Sequence, residues 1–195
     1  MKNSSKKPVA IITGASRGVG AATALLLASK GWNITLTCSS TIKEANEIAM
    51  ACEEYKVEAL AVQADVSDNN DCKKTIDQTI NKWGRIDALI NNAGASKFAW
   101  DHSDLDLLDA ADFQKIYSVN LIGPFQMIKA SKEFLMKSDN PSITNVSSIA
   151  GIKGIGSSIA YAASKGALNT MTISMARNLG PIRVNAICPG FIDGE

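Results

Sequence analysis

The sequence predicts a three-layer α/β/α domain, a doubly wound parallel sheet with helices on both faces. Short β-branched or apolar runs alternate with longer stretches of helical period along the whole chain. Several of those runs are apolar on both sides of the pleat, as strands are when helices cover both sheet faces. No internal repeat or low-complexity linker divides the 195 residues, a length that suits one domain with a sizeable core.

The strand-like runs are 8–13 (PVAIIT), 33–38 (NITLTC), 57–63 (VEALAVQ), 86–90 (IDALI), 142–147 (SITNVS) and 182–187 (IRVNAI). Helical segments lie between them near 18–30, 42–55, 69–83, 109–137 and 158–179. In such a sheet ligands bind beyond the carboxyl ends of the strands, so the residues after each run carry the functional information.

Composition narrows the classes. Hydrophobic residues make up 46% and charged residues 20%, an ordinary globular balance. A net charge of +1 gives no concentrated basic surface for nucleic acid or an anionic membrane. The opening MKNSSKKPVA does not read as a signal peptide, and no apolar stretch approaches the ~18 residues of a membrane span. A soluble, cytoplasmic protein is expected. Cys38, Cys52, Cys72 and Cys188 are widely spaced, and the single His102 completes no zinc set with them, so reduced, packed thiols and no metal are expected.

After the first run comes TGASRGVG (13–20), opening a helix rich in Ala and Leu. Gly14, Gly18 and Gly20 permit a tight turn, close approach of backbone to a ligand and close packing of helix on strand, and the helix start offers free N–H groups to a pyrophosphate. The spacing is GxxxGxG rather than GxGxxG, so the generic fingerprint is not met. Its place after the first strand of an α/β pattern predicts a Rossmann-like dinucleotide site. The second run ends in Cys38, Ser39, Ser40 and Thr41, with no acid before Glu44, and Arg17 sits in the glycine loop. An Arg and several hydroxyls suit a 2′-phosphate better than a free diol, which favours NADP(H) over NAD(H).

The other strand ends are polar as well. NNAG (91–94) carries turn and backbone-bonding residues, and Gly94 lets a ligand come close. Asp65 either bonds an adenine amino group or belongs to the cap of the next helix, and the sequence supports both readings equally. Asn120 shares a stripe with the apolar Phe113, Ile116 and Tyr117, where an amide needs partners. Pro124 has no N–H to bring to the Asn120 carbonyl, so a bend is expected there, with that carbonyl left to water or a side chain. Ser148 directly follows the fifth run, and Tyr161 and Lys165 stand four places apart, neighbours on a helix. With one His and no nucleophile elbow, a serine nucleophile is disfavoured.

Jointly, TGASRGVG, NNAG, Asn120, Ser148, Tyr161-AAS-Lys165 and Pro189–Gly190 resemble, in order and spacing, the short-chain dehydrogenase/reductases over nearly the whole chain. The glycine-loop Arg and CSS look most like NADPH-dependent 3-oxoacyl-thioester and carbonyl reductases within that family. The resemblance implies hydride transfer between NADP(H) and a ketone or secondary alcohol, a 3-oxoacyl thioester among them. It implies catalytic roles for Asn120, Ser148, Tyr161 and Lys165. In that scheme Ser148 holds the carbonyl oxygen, Tyr161 gives the proton, Lys165 favours the phenolate and bonds the ribose, and the Asn120 carbonyl holds a water. It implies cofactor contacts at Gly14, Ser16, Arg17, Gly18, Val19, Gly20, Ser39, Asp65, Val66, Asn92, Ala93, Gly94, Pro189, Gly190 and Ile192, besides Tyr161 and Lys165. A homodimer or homotetramer is implied through paired long helices, the last rich in small residues (Ala160, Ala162, Ala163, Ser164, Gly166, Ala167).

The chain departs from the family at its end, PGFIDGE, where members continue through lid helices and a seventh strand, and Gly194 stands where they often carry Thr. The sequence therefore reads as one domain, either a fragment truncated at its C-terminus or a naturally short relative, with a competing function: an NADP(H)-binding, oligomer-forming protein with little catalysis. Lys97, Trp100 and His102 follow the fourth run and are candidates to border a substrate pocket.

Overall fold

In a computed structural model, residues 7–192 are described; Gly194 lies outside them. Six parallel strands form one sheet in the order β3-β2-β1-β4-β5-β6. They are β1 Val9–Ile12, β2 Asn33–Cys38, β3 Ala59–Gln63, β4 Ala88–Asn91, β5 Ser142–Val146 and β6 Arg183–Ile187. The helices are α1 Gly18–Ser29, α2 Ile42–Glu53, α3 Asn69–Trp83, α4 Ala110–Tyr117, α5 Gly123–Leu135, α6 Ala150–Lys153 and α7 Ile159–Asn178. Strand order reverses between β1 and β4, the switch point at which a doubly wound sheet opens a crevice.

Two cores flank the sheet, as expected for strands with apolar side chains on both faces. Ile12, Ile34 and Leu36 meet Ala24 and Ala28 of α1 and Ala45 of α2 on one side. Ile11, Leu89 and Ile143 meet Ile76 of α3 and Met127 and Ile128 of α5 on the other. β1, β2 and β4 are buried throughout, but β5 and β6 alternate, and Arg183, Asn185 and Ile187 are exposed. The two-sided burial expected of several strands is thus found in β1, β2 and β4, while β6 at the sheet edge is buried on one face.

β2 coincides with its predicted run and β4 extends one residue past its own to Asn91; the other strands fall inside theirs, where flanking residues bond elsewhere. Thr13, read as strand, turns its side chain to the loop after β4. Asp87 precedes β4 and is buried, accepting from Val9 N (2.9 Å), Arg85 Nε (2.8 Å) and Ser138 Oγ (2.6 Å). Burial alone would raise its carboxyl pKa, but these donors outweigh it and hold the group below the usual carboxylate range. The end of the sheet opposite the crevice is thereby pinned.

The single helical segment expected over 109–137 is two helices joined by a π-helical turn, Ser118–Ile122. The bend expected near Pro124 is thus an i→i+5 turn just before it, with the Gly123 N–H reaching Ser118 O. Gly123 follows at the start of α5, where a Cβ would stand 2.7 Å from Val66 Cγ2. Bulge and close contact together seat α5 under the loop after β3.

Candidate active site

The glycine turn is shaped by the loop after β4. Asn92 Nδ2 donates to Thr13 O (2.9 Å) and Gly14 O (2.8 Å), while Thr13 Oγ1 accepts from the Asn92 and Ala93 N–H groups (3.0 Å each). Gly14 has φ +61°, and a Cβ there would lie 2.8 Å from Ala93 Cα. At Gly20 a Cβ would lie 2.5 Å from Asn92 Nδ2 and 2.6 Å from Gly14 O. Both positions are therefore tightly packed, leaving room only for Asn92, Ala93 and the turn itself. Thr13 and Thr37, which the sequence reading missed, complete the turn: Thr37 O accepts from Ala15 N (2.8 Å) and Thr37 Oγ1 from Gly14 N (3.3 Å).

Arg17 is the residue before α1, with no side-chain cap and no acid in the first turn. The leading N–H groups of α1 are therefore left without a side-chain acceptor at a positive helix end, the donor set that suits a pyrophosphate. A cavity of about 780 Å³ runs from this turn across the switch point. Gly14, Ser16 and Arg17 border it at one end with Ser39 and Ser40. Asp65, Val66, Asn92, Ala93 and Gly94 line it as well. Glu44 borders the same end, so an acid is present where the sequence reading counted only hydroxyls and Arg17. The Asp65 carboxylate accepts from Ser67 N (2.9 Å) and Ser67 Oγ (2.8 Å), a turn contact, although the residue reaches the cavity.

At the other end stand Ser148, Tyr161, Lys165 and Gly190. Ser158 caps α7 through the Tyr161 N–H, so the tyrosine lies in the first turn and Lys165 one turn further on. Lys165 is 3% exposed; its Nζ donates to Val146 O (2.8 Å) and sits 5.7 Å from the centre of the Tyr161 ring. Gly151 lets α6 lie against α7, since a Cβ there would be 2.5 Å from the Lys165 carbonyl carbon. Asn120 is wholly buried behind this wall: its amide donates to Ala95 O and Ser164 Oγ (2.9 Å each) and accepts from Ala95 N (2.7 Å). The partners that its apolar stripe demanded are thus the loop after β4 and α7. Gly18, Val19, Gly20, Asn120, Pro189 and Ile192 do not line the cavity; Pro189 O instead accepts from Ile149 N (2.9 Å).

Burial drives the Lys165 ammonium pKa down to about 8, an effect that nearby Cys188 partly offsets. Between that value and the ordinary 10.5 the unfolded chain holds the proton more tightly, so raising pH through this interval stabilises the fold, by on the order of 3 kcal/mol in all. The melting temperature of the wild type, taken relative to Lys165→Met, should climb from pH 8 to 10.5. A flat difference would contradict a desolvated ammonium. Cys52 and Cys72 are pushed up to about 11 and 12 by burial, the state of packed thiols. Among the described residues no His, Cys, Asp and Glu cluster could hold a metal, and no helix is long and apolar enough to cross a membrane.

A parallel sheet with a switch-point cavity between a glycine turn and a Tyr–Lys helix defines a Rossmann-type oxidoreductase domain. The chain belongs to the short chain dehydrogenase family, whose profile matches residues 8–195. It is 35% identical over 193 residues to a 3-oxoacyl-[acyl-carrier-protein] reductase of Thermotoga maritima, covering 95% of this chain and 74% of that one. A reductase of the same description from Synechocystis is 34% identical, with coverage of 94% and 74%. A Burkholderia xenovorans chain of known structure superimposes with TM-score 0.93 at 45% identity, covering 97% of this chain and 79% of that one. An NAD+-bound xylitol dehydrogenase superimposes with TM-score 0.90 at 33% identity, covering 97% and 72%.

Proposed function

We propose that this protein transfers a hydride between NADP(H) and a ketone or secondary alcohol. The observation that carries the reading is the buried Lys165 ammonium beside Tyr161 in the wall of a cavity that also holds Ser148. Bound nicotinamide supplies the hydride to the carbonyl carbon. Ser148 donates a hydrogen bond to the carbonyl oxygen, and Tyr161 donates its phenolic proton to the alkoxide that develops there. Lys165 favours the phenolate so formed and bonds the ribose. Lys165 then passes an ammonium proton to the phenolate, restoring the phenol, and a water held by the Asn120 carbonyl, which Pro124 cannot bond, would reprotonate the Lys165 amine. The test is loss of reduced-nicotinamide absorbance with a ketone panel, beside NADPH binding by fluorescence.

Preference for NADP(H) is supported by Arg17, Ser39 and Ser40 bordering one end of the cavity. Glu44 at the same end weakens the attraction, but among the described residues Arg17 forms no salt bridge. Replacing Arg17 by Ser should raise the NADPH dissociation constant about tenfold, on the order of 1.4 kcal/mol for a phosphate contact at an exposed site. NADH binding should stay within about twofold, below 0.5 kcal/mol. Equal losses for both cofactors would remove the case for a 2′-phosphate site.

A second reading, an NADP(H)-binding oligomer with little catalysis, predicts binding without turnover in the same assay. We infer a two-fold dimer in either case, because Ile122 and Phe125 near the start of α5 and Ile173 on α7 are exposed. Light scattering on the purified chain tests it.

A further inference from the structure

One apolar feature at the cavity mouth has no part in the chemistry above. Phe98 and Trp100 are stacked, ring centres 5.3 Å apart at 26°, and are 72% and 64% exposed. Trp100 also lines the cavity that holds Ser148 and Tyr161, and Ile155, 45% exposed, lines it too. The segment that carries the stack is held at several points. Ala99, between the rings and buried, donates its N–H to Ser157 O (2.7 Å). Ser96 Oγ bonds Ser157 Oγ, His102 Nε2 donates to Gly156 O (3.1 Å), and Lys97 bridges Asp112 (2.6 Å). Two aromatic faces are thus fixed beside the reacting end of the cavity, a large apolar surface at low cost in side-chain freedom.

The same segment is acidic. Asp101, Asp104, Asp106, Asp109 and Asp112 fall within twelve residues, and the first four are exposed. Asp112 has Lys97 as its partner, while Asp101, Asp104 and Asp109 accept only from local backbone or hydroxyl groups. None of these five aspartates lines the cavity, whereas exposed Lys115 does; Lys97, paired with Asp112, and Lys153 on α6 are the other cations nearby in sequence. An apolar substituent gains from this wall, whereas a phosphate-bearing carrier gains nothing from it and has exposed acids beside it outside the cavity.

We propose that Phe98, Trp100 and Ile155 form a specificity wall. It selects a small, uncharged ketone with an aromatic or bulky apolar substituent over a 3-oxoacyl group carried on a phosphopantetheine thioester. The proposal rests on the reading that the cavity reduces carbonyls, and it adds no chemical step.

The test measures kcat/KM with NADPH for ethyl benzoylacetate, ethyl acetoacetate and acetoacetyl-coenzyme A. Ethyl benzoylacetate should be preferred over the coenzyme A thioester by about tenfold or more. Trp100→Ala should cut kcat/KM for it about tenfold, through KM, and change ethyl acetoacetate and NADPH binding by less than about threefold. Asp101→Asn with Asp104→Asn should raise kcat/KM for acetoacetyl-coenzyme A at low ionic strength. In parallel, ethyl 3-phenylpropanoate, which has no ketone, is titrated calorimetrically into the NADPH-saturated protein and should bind about tenfold more weakly to Trp100→Ala. If that dependence holds while no ketone turns over, the wall stands and the reductase reading falls. Better use of acetoacetyl-coenzyme A than of ethyl benzoylacetate, or analogue binding indifferent to Trp100, would overturn the proposal.

Discussion

Replacing Tyr161 by Phe is expected to lower kcat for ketone reduction by roughly a hundred- to ten-thousandfold, the usual worth of a positioned general acid. The substitution removes one hydroxyl and keeps the ring that faces Lys165 Nζ at 5.7 Å. It leaves Ser158 bonded to the backbone N–H of residue 161 and Ser164 Oγ bonded to its carbonyl, so the first turn of α7 should persist. NADPH affinity, measured by fluorescence titration, should therefore change by less than about threefold, under 0.7 kcal/mol. Wild-type reduction rates in Tyr161→Phe would remove the phenol from the chemistry.

Gly20→Ala should produce the other large effect, and by a different route. Its Cβ would stand 2.5 Å from Asn92 Nδ2, 2.6 Å from Gly14 O and 2.8 Å from Ala15 Cα. The Asn92 amide cannot swing aside cheaply, since it bonds two carbonyls of the glycine turn. The turn, α1 and the loop after β4 must separate, which should cost about 3 kcal/mol in urea unfolding. NADPH binding should weaken about a hundredfold because the N–H groups at the start of α1 are displaced with the turn. Gly18→Ala makes the contrast: a Cβ there meets nothing within 4 Å, and the cost is the positive φ of +56° alone. That variant should lose about 1–2 kcal/mol. Equal losses at Gly18 and Gly20 would contradict the close-packing account.

The sheet and its site were legible in the sequence to different depths. Alternation of runs announced the six strands because each central strand is apolar on both faces, as Ile11 and Ile12 show by entering opposite cores. Glycine spacing, NNAG and the Tyr161–Lys165 pair announced which strand ends carry function, since each is local in the chain. What stayed hidden depends on partners far apart in sequence. Asn120 was visible as an amide needing partners, but Ala95 and Ser164 could not be named from its neighbours. Nothing local distinguishes Thr13 Oγ1, which accepts from two backbone N–H groups 79 and 80 residues away, from an ordinary strand threonine. The π turn escaped because Ser118–Ile122 has helical periodicity, and only the bonding pattern separates it from α-helix. Glu44 was visible as the first acid after β2, but that the first turn of α2 sets it against the cavity depends on how the helix leaves the strand.

The most direct test of the hydride-transfer account is a single turnover with NADPH deuterated at nicotinamide C4 and an excess of ethyl benzoylacetate. Deuterium at the carbinol carbon of the product, in one-to-one proportion to NADPH consumed, is the predicted result. NADPH bound tightly, with no deuterium carried to the ketone, would contradict it.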